Sequence, residues 1–463
     1  MKSLILLVVS FGFWEADTST EPPQARLRDQ NIRRYDEWID KVLFGSDEEK
    51  TLAITALRQF GPDALERFIE RALPKQVAPI DVVRSGSPKL PPDIAGIIRT
   101  YEPATKDSAI WPIQRCIDEV AGQKDAWVSR LYWYTQNEGS LVLEQAESLH
   151  RPIVSLRLLG KLTDEYSCAN SRFFRTLLYP DPKINQLLRD SAVLHWQSVR
   201  PVPRITIDFG DGRRLEQTVT GNSVHYVMDE HGRLVDAIPG LYAPDEFYQV
   251  MREALYLAER AASLDDVAFR ELLLSVHSKR VTDSENRLRQ GLVSIRNDSK
   301  LINLLLNAGL DANIDELSPL LPEDTWSLLA RDKEVRFAPE AQARVNANAL
   351  RAPKAPLAGR LALDKFGNER PMLRLMASLG ETVAADTLLN ELVLRRKLSQ
   401  MIITAPTIRV GDAMFNDWND KVYADVFLTP STDPWLGLLG ENRFAALPNG
   451  GEVSVVPPSK PED

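Results

Sequence analysis

Apolar residues recur at helical spacing early in the chain. Arg28 to Leu43 carries Ile32, Tyr35, Ile39 and Leu43 on one stripe, which predicts an amphipathic helix. Ser46 followed by Glu49 is a capping-box signal, so a second helix is expected to run to about Phe60. Gly61-Pro62 stops it, and a third helix is expected from Pro62 to about Ala72. The set does not recur, which argues against a solenoid. Residues 76–110 hold five prolines and little periodicity, and read as a linker.

The pattern changes near Trp111. Cys116 to Val120 and Trp127 to Tyr134 read as short packing segments, and Leu141 to Leu149 as a helix. Pro152 to Leu159 is a continuous apolar strand candidate. A helix is expected from near Cys168 to Pro180, then a second strand at 192–199. Arg204 to Phe209 and Arg213 to Thr220 flank Gly210-Asp211-Gly212, which reads as a hairpin. Val224 to Met228 and Leu234 to Ile238 make another, and Asp245 to Ala262 is a closing amphipathic helix. Beyond it, Leu264 to Ser278, Lys300 to Ala308, Thr382 to Leu398 and Ala413 to Leu428 read as helices, with Ile408 to Val410 a short strand.

The expectation is therefore an α/β sandwich in the middle, flanked by mainly α-helical regions. Its divisions are a signal-like segment at 1–18, a helical region with linker at 24–125, and the α/β domain at 126–262. A helical domain at 263–446 and a tail at 447–463 follow.

Composition narrows what such a chain can do. The 463 residues carry a net charge of −9, too acidic for a general nucleic-acid binder. Two cysteines exclude a disulfide-dense scaffold and a four-cysteine metal site. Lys2 followed by an apolar run from Leu4 to Trp14 fits a secretory signal, although the cleavage site is weak. Export, for instance to a periplasm, is the expectation, with a cytoplasmic protein as the alternative. No run is long enough for an integral membrane domain, and no cofactor or metal motif is present.

A helix leads into Arg151-Pro152-Ile153, Trp133 stands in the lead-in, and Ser167-Cys168-Ala169-Asn170-Ser171 opens the following helix. In this order residues 141–262 resemble a thioredoxin-like domain, with Cys168 to Ser171 standing where that family carries Cys-x-x-Cys. Gly221-Asn222-Ser223-Val224 stands where it carries its cis-proline segment. The closest flavour is a bacterial subgroup, here with a degenerate Cys-x-x-Ser site. The resemblance implies Cys168 as nucleophile, Ser171 in place of the resolving cysteine and Ser223 in place of the cis-proline. A helix N-terminus favours a thiolate. With one thiol, a dithiol cycle is not supported, and a mixed disulfide with an unknown protein or thiol partner remains. The other reading is a non-catalytic scaffold, with Cys168 an inert buried hydrophobe. A bond between Cys116 and Cys168 is open in an oxidising compartment.

Local charge adds one candidate. From Arg151 to Arg214 the net charge is +5, and Arg172, Arg175, Arg200 and Arg204 fall near the cysteine and the first hairpin. They read either as an anion site or as anchors for acidic flanking helices. His195 and His225 alternate with apolar residues and could face each other, the plainer reading being satisfied core histidines. Asp208-Phe209-Gly210 reads as part of a turn, not as a kinase magnesium motif.

Overall fold

A computed structural model describes residues 23–72, 111–219, 221–295, 321, 324–331, 333, 335–338, 379–411, 413–433 and 436. The signal-like segment, the proline-rich linker, the Lys300 to Ala308 helix and the tail at 447–463 lie outside them. The chain divides at Pro74 into two compact units.

The first unit is a bundle of α1 (Pro23–Phe44), α2 (Asp47–Phe60) and α3 (Pro62–Ala72). The capping box forms as its residues predict. The Ser46 amide donates to Glu49 Oε2 at 2.9 Å, and the Glu49 amide donates to Ser46 Oγ at 3.3 Å. Gly61 turns the chain at φ 76°. Arg67 reaches Asp36 with two hydrogen bonds, at 2.8 and 2.9 Å, and so ties α3 to α1.

The second unit holds a four-stranded sheet. Its elements begin with α4 (Trp111–Ala121), α5 (Ala126–Ser129) and α6 (Gly139–Leu149). Then come β1 (Ile153–Leu159), α7 (Ala169–Phe173, continued as a π turn over Phe174–Leu178), α8 (Pro182–Ser191) and β2 (Val193–Arg200). The hairpin β3 (Arg204–Asp208) and β4 (Arg214–Thr218) precedes β5 (Ser223–Met228), β6 (Leu234–Pro239) and α9 (Pro244–Ala262). The sheet order is β2-β1-β5-β6. β1 runs parallel to β2 and antiparallel to β5, and β5 is antiparallel to β6. The hairpin β3–β4 forms a separate two-stranded sheet.

Every residue of β1 is buried, as a strand covered on both faces requires. One face packs on α7 and α9: the His225 ring lies 4.9 Å from Phe174 and 5.2 Å from Phe247. The other face meets α14 (Ala413–Lys421, continued as a π turn over Val422–Val426). There Tyr226 lies 5.3 Å from Phe415 and 5.4 Å from Trp418 and donates to Asn419 Oδ1 at 2.9 Å. Both faces therefore read as apolar in sequence, with the covering side chains drawn from opposite ends of this unit.

Four further helices complete the described part: α10 (Asp266–Ser294), α11 (Asp324–Leu329), α12 (Leu379–Leu389, continued as a π turn over Asn390–Leu394) and, directly after it, α13 (Arg395–Thr404). The sequence sets a domain boundary after 262. In the structure Phe269, Leu273, Leu398, Ile402, Phe415 and Trp418 lie in the same hydrophobic cluster as β1 and β5. The division at Pro74 also leaves α4 with the sheet, not with the N-terminal helices. Instead of a strand, Ile408 to Val410 makes a short bridge beside β6, where Leu234 N donates to Ile408 O at 2.8 Å. Among the described residues no helix is long and apolar enough to cross a membrane.

Candidate functional site

The candidate site lies where β1 ends. Gly160 follows at φ +74°, a conformation that favours glycine, and a Cβ there would sit 3.1 Å from Val202. The loop 161–167 then delivers Cys168 to the N-cap of α7, its amide donating to Leu159 O at 3.4 Å. Cys168 is completely buried. Burial pushes its thiol up from the ordinary value, against the opposing pull of the Ser171 and Asn170 N–H groups and the Arg175 charge. Ser171, also buried, donates its hydroxyl back to Cys168 O at 3.0 Å, within the first turn. Neither Cys168 nor Cys116 is in a disulfide, so the pairing between them does not form.

Ser223 is the first residue of β5 and is buried. The Asn170 side-chain amide donates to its hydroxyl at 2.9 Å. Gly221 makes room for that bond, since a Cβ there would fall 2.5 Å from Asn170 Oδ1. The structure thus brings Cys168, Ser171 and Ser223 into one buried junction. Asn170 joins them and was not singled out from sequence; a lone asparagine early in a helix carries no distinguishing signal.

A second group closes this end of the sheet from outside. Tyr423, on the π turn after α14, donates to Asn222 O at 3.4 Å. Asn222 donates to Thr429 Oγ1 at 3.2 Å. Arg200 donates to Pro430 O at 3.1 Å and also to Thr429 O. Residues 423–430 therefore cover the segment that leads into β5.

The four arginines do not converge on an anion site. Arg175 is buried beneath the 161–167 loop, donating to Leu162 O at 3.3 Å and Asp164 O at 3.0 Å, with Asp125 3.6 Å away. Arg200 is engaged with residues 429–430. Arg204 lies over the Tyr166 ring at 4.5 Å. Arg172 is half-buried and makes no ion pair with a described residue. Arg213 and Arg214 pair within the hairpin, with Asp211 and Asp208. Three of the four candidates serve as loop and segment anchors, through carbonyls and a ring as well as through carboxylates.

The two strand histidines lie on opposite faces of the sheet, so they do not meet. His195 accepts from or donates to Ser155 Oγ at 2.8 Å, and His225 bonds the Tyr179 hydroxyl at 2.8 Å. Burial drives both imidazoles down to about 3, with the Arg157 charge adding to the effect at His195. Arg157 itself is buried in the middle of β1 and donates to Ser155 Oγ at 3.0 Å. Among the described residues no cluster of three or more His, Cys, Asp or Glu forms a metal-binding group.

A buried charge cluster centred on β6 was not legible in sequence. Asp236 on β6 accepts from Arg280 at 2.7 and 2.8 Å and from Arg395 at 2.8 Å. His277 approaches Val235 O at 3.0 Å beside it. Its members lie on three elements far apart in the chain, so no local spacing announces it.

No family model, no curated protein and no solved structure matches this chain.

Proposed function

We propose that residues 126–262 form a thioredoxin-like module used as a non-catalytic framework for interaction with a protein partner. Support comes from the β2-β1-β5-β6 order, with a parallel first pair and an antiparallel second pair. It comes also from a helix opening at Cys168 directly after β1, with Ser223 across from that helix at the head of β5. These are the positions the resemblance implies.

The complete burial of Cys168 carries the functional part of the reading. A thiol exchanges as its thiolate and must be reached by the disulfide it attacks. Here burial raises the thiol, a serine stands in place of a second thiol, and residues 423–430 cover the adjoining strand entry. The buried junction is built to hold α7 against β5.

Alkylation of the native protein as a function of pH tests this reading, with Cys116→Ser and Cys168→Ala variants to assign the signal. Cys168 is expected to react only after denaturation. Native reaction with an apparent pKa well below the free value of about 8.5 would sink it.

That outcome would favour a monothiol reading, which the Asn170 and Ser171 amides directed at the sulfur support. In that reaction the Cys168 thiolate would attack a small disulfide such as oxidised glutathione. A mixed disulfide forms, and one glutathione thiolate leaves. Export of the chain belongs to the same proposal. Intact mass of the mature protein tests it, and a chain that retains Met1 contradicts a cleaved signal.

A further inference from the structure

The hairpin β3–β4 is mostly exposed, and its two faces differ. Ile205, Ile207, Phe209 and Leu215 share one face, through the pairings Ile207↔Leu215 and Ile205↔Gln217. Ile207 is 39%, Leu215 41% and Phe209 55% exposed. A two-stranded ribbon with an uncovered apolar face is marginal in water on its own. Its strand edges also present unpaired backbone groups.

Which backbone groups are free follows from the bonds within the ribbon. Val219 N donates to Pro203 O at 3.0 Å and Phe209 N to Arg213 O at 3.1 Å. In an antiparallel ladder hydrogen-bonded pairs alternate, so residues 203, 205, 207 and 209 turn their backbone groups toward β4. Arg204, Thr206 and Asp208 turn theirs outward along β3.

That edge is self-complementary. Laid antiparallel on a second β3 about a two-fold axis at Thr206, it sets Arg204 opposite Asp208 and Ile205 opposite Ile207. Thr206 then meets its own copy. All three outward residues fall at hydrogen-bonded positions, each pair exchanging two backbone bonds. Opposite charges and apolar pairs directly across strands stabilise such a ladder. The other edge does not have this property. Pairing β4 on itself would set Glu216 against Glu216, and Thr218 is buried, donating to Ser167 O at 3.3 Å. Charges on edge strands commonly repel a second copy. Here three basic residues, Arg204, Arg213 and Arg214, balance three acidic ones, Asp208, Asp211 and Glu216, so the ribbon meets its copy without net repulsion although the whole chain carries −9.

We infer that β3 is a homodimerisation edge: two copies of this chain join their hairpins into one four-stranded antiparallel sheet centred on Thr206. The apolar faces of the two ribbons become continuous in that sheet.

Sedimentation of the full-length protein, together with cross-linking, tests the inference. The wild type is expected to dimerise at or below about 100 μM, the weak range for a specific contact. Thr206→Pro removes an N–H that the hairpin itself does not use, and is expected to weaken the dimer at least tenfold. Thr206→Cys, in a Cys116→Ser background, is expected to form an intermolecular disulfide under mild oxidation. Its two Cα atoms would lie roughly 5.5 Å apart, within the roughly 4.4–6.8 Å that a disulfide spans. Ile207→Cys stands opposite Ile205 of the other copy and is expected not to cross-link. A monomer throughout, without a Thr206→Cys cross-link, overturns the inference. So does a dimer that Thr206→Pro leaves unchanged. Slow amide exchange at Thr206 in a monomeric protein also overturns it, because another segment of the same chain would then cover the edge.

Discussion

The Asn170 amide donates to the Ser223 hydroxyl at 2.9 Å, across a separation of 53 residues, and locks α7 to the head of β5. Both residues are buried, so removing one partner strands the other without water. Ser223→Ala is expected to cost about 1–3 kcal/mol, read as a lower urea midpoint. Gly221→Ala acts on the same bond from the other side, because its Cβ would displace Asn170 Oδ1. It is expected to cost a similar amount, roughly 1–3 kcal/mol by overpacking. Adding Asn170→Ala should recover part of that loss in a double-mutant cycle. Additive losses would show that Gly221 and Asn170 are not coupled.

Asp236 is the hub between β6, α10 and α13. Burial alone would raise its carboxyl, but the charges of Arg280 and Arg395 outweigh that and hold it well below the usual carboxylate range. Asp236→Asn leaves two guanidinium groups without their shared acceptor. The expected cost is about 3–5 kcal/mol, measured by chemical denaturation. The stabilisation from a depressed carboxylate is present above its unfolded value of about 3.9 and is lost as pH falls toward the folded one. The advantage of the wild type over Asp236→Asn should therefore narrow as pH falls below about 3.9. Equal acid profiles would contradict the role of the cluster.

The buried histidines give a second pH dependence. His195 and His225 are held down at about 3, so the folded protein refuses protons that the unfolded chain accepts below about 6.5. Stability is expected to be full above that pH and to fall on acidification. Asp118 works the other way. Burial pushes it up to about 6, against Lys124 3.2 Å away and the Ala126 amide, so the folded state keeps a proton there that the unfolded chain gives up. Its contribution is present at low pH and lost as pH rises through about 6. Asp118→Asn should therefore steepen the loss of stability between pH 6.5 and 4.5. A shallower slope in the urea midpoints would contradict this assignment.

Arg200 fastens residues 429–430 through Pro430 O and Thr429 O. Arg200→Ala is expected to loosen that segment and leave the sheet in place. Hydrogen exchange should speed up by tenfold or more at Thr429, whose amide donates to Tyr423 O at 2.8 Å, and amides of β1 should be unchanged. Uniform acceleration would mean that Arg200 supports the whole core.

Much of the local structure is legible in the chain. The Ser46 and Glu49 capping box, the seven buried residues of β1 and the turn glycines of the hairpins each announce their element through nearby residues. Where the reading fails, the deciding residues are distant or ambiguous. Pro180 reads as a helix stop, which it is, but Asp181-Pro182 also opens α8, with Asp181 accepting from the Lys183 and Ile184 amides. Nor does any local pattern show that Phe415, Trp418 and Tyr423, far beyond residue 262, belong to the core of β1 and β5. At the site, Cys168, Ser171 and Ser223 are legible by resemblance, and their burial is not. It depends on Asn170, Asn222 and residues 423–430, which no local pattern connects to them.

The cover that α14 supplies to one face of the sheet has a consequence for synthesis. Tyr226 and its acceptor Asn419 are 193 residues apart, so that face stays open to water until the ribosome has passed residue 426. A core closed by such distant contacts forms late and slowly, because a long loop must be ordered before the contacts repay it. While translation continues, Val224, Tyr226 and Met228 are apolar strand surface without their cover, and this interval is when the nascent chain is most exposed to aggregation and to chaperone capture.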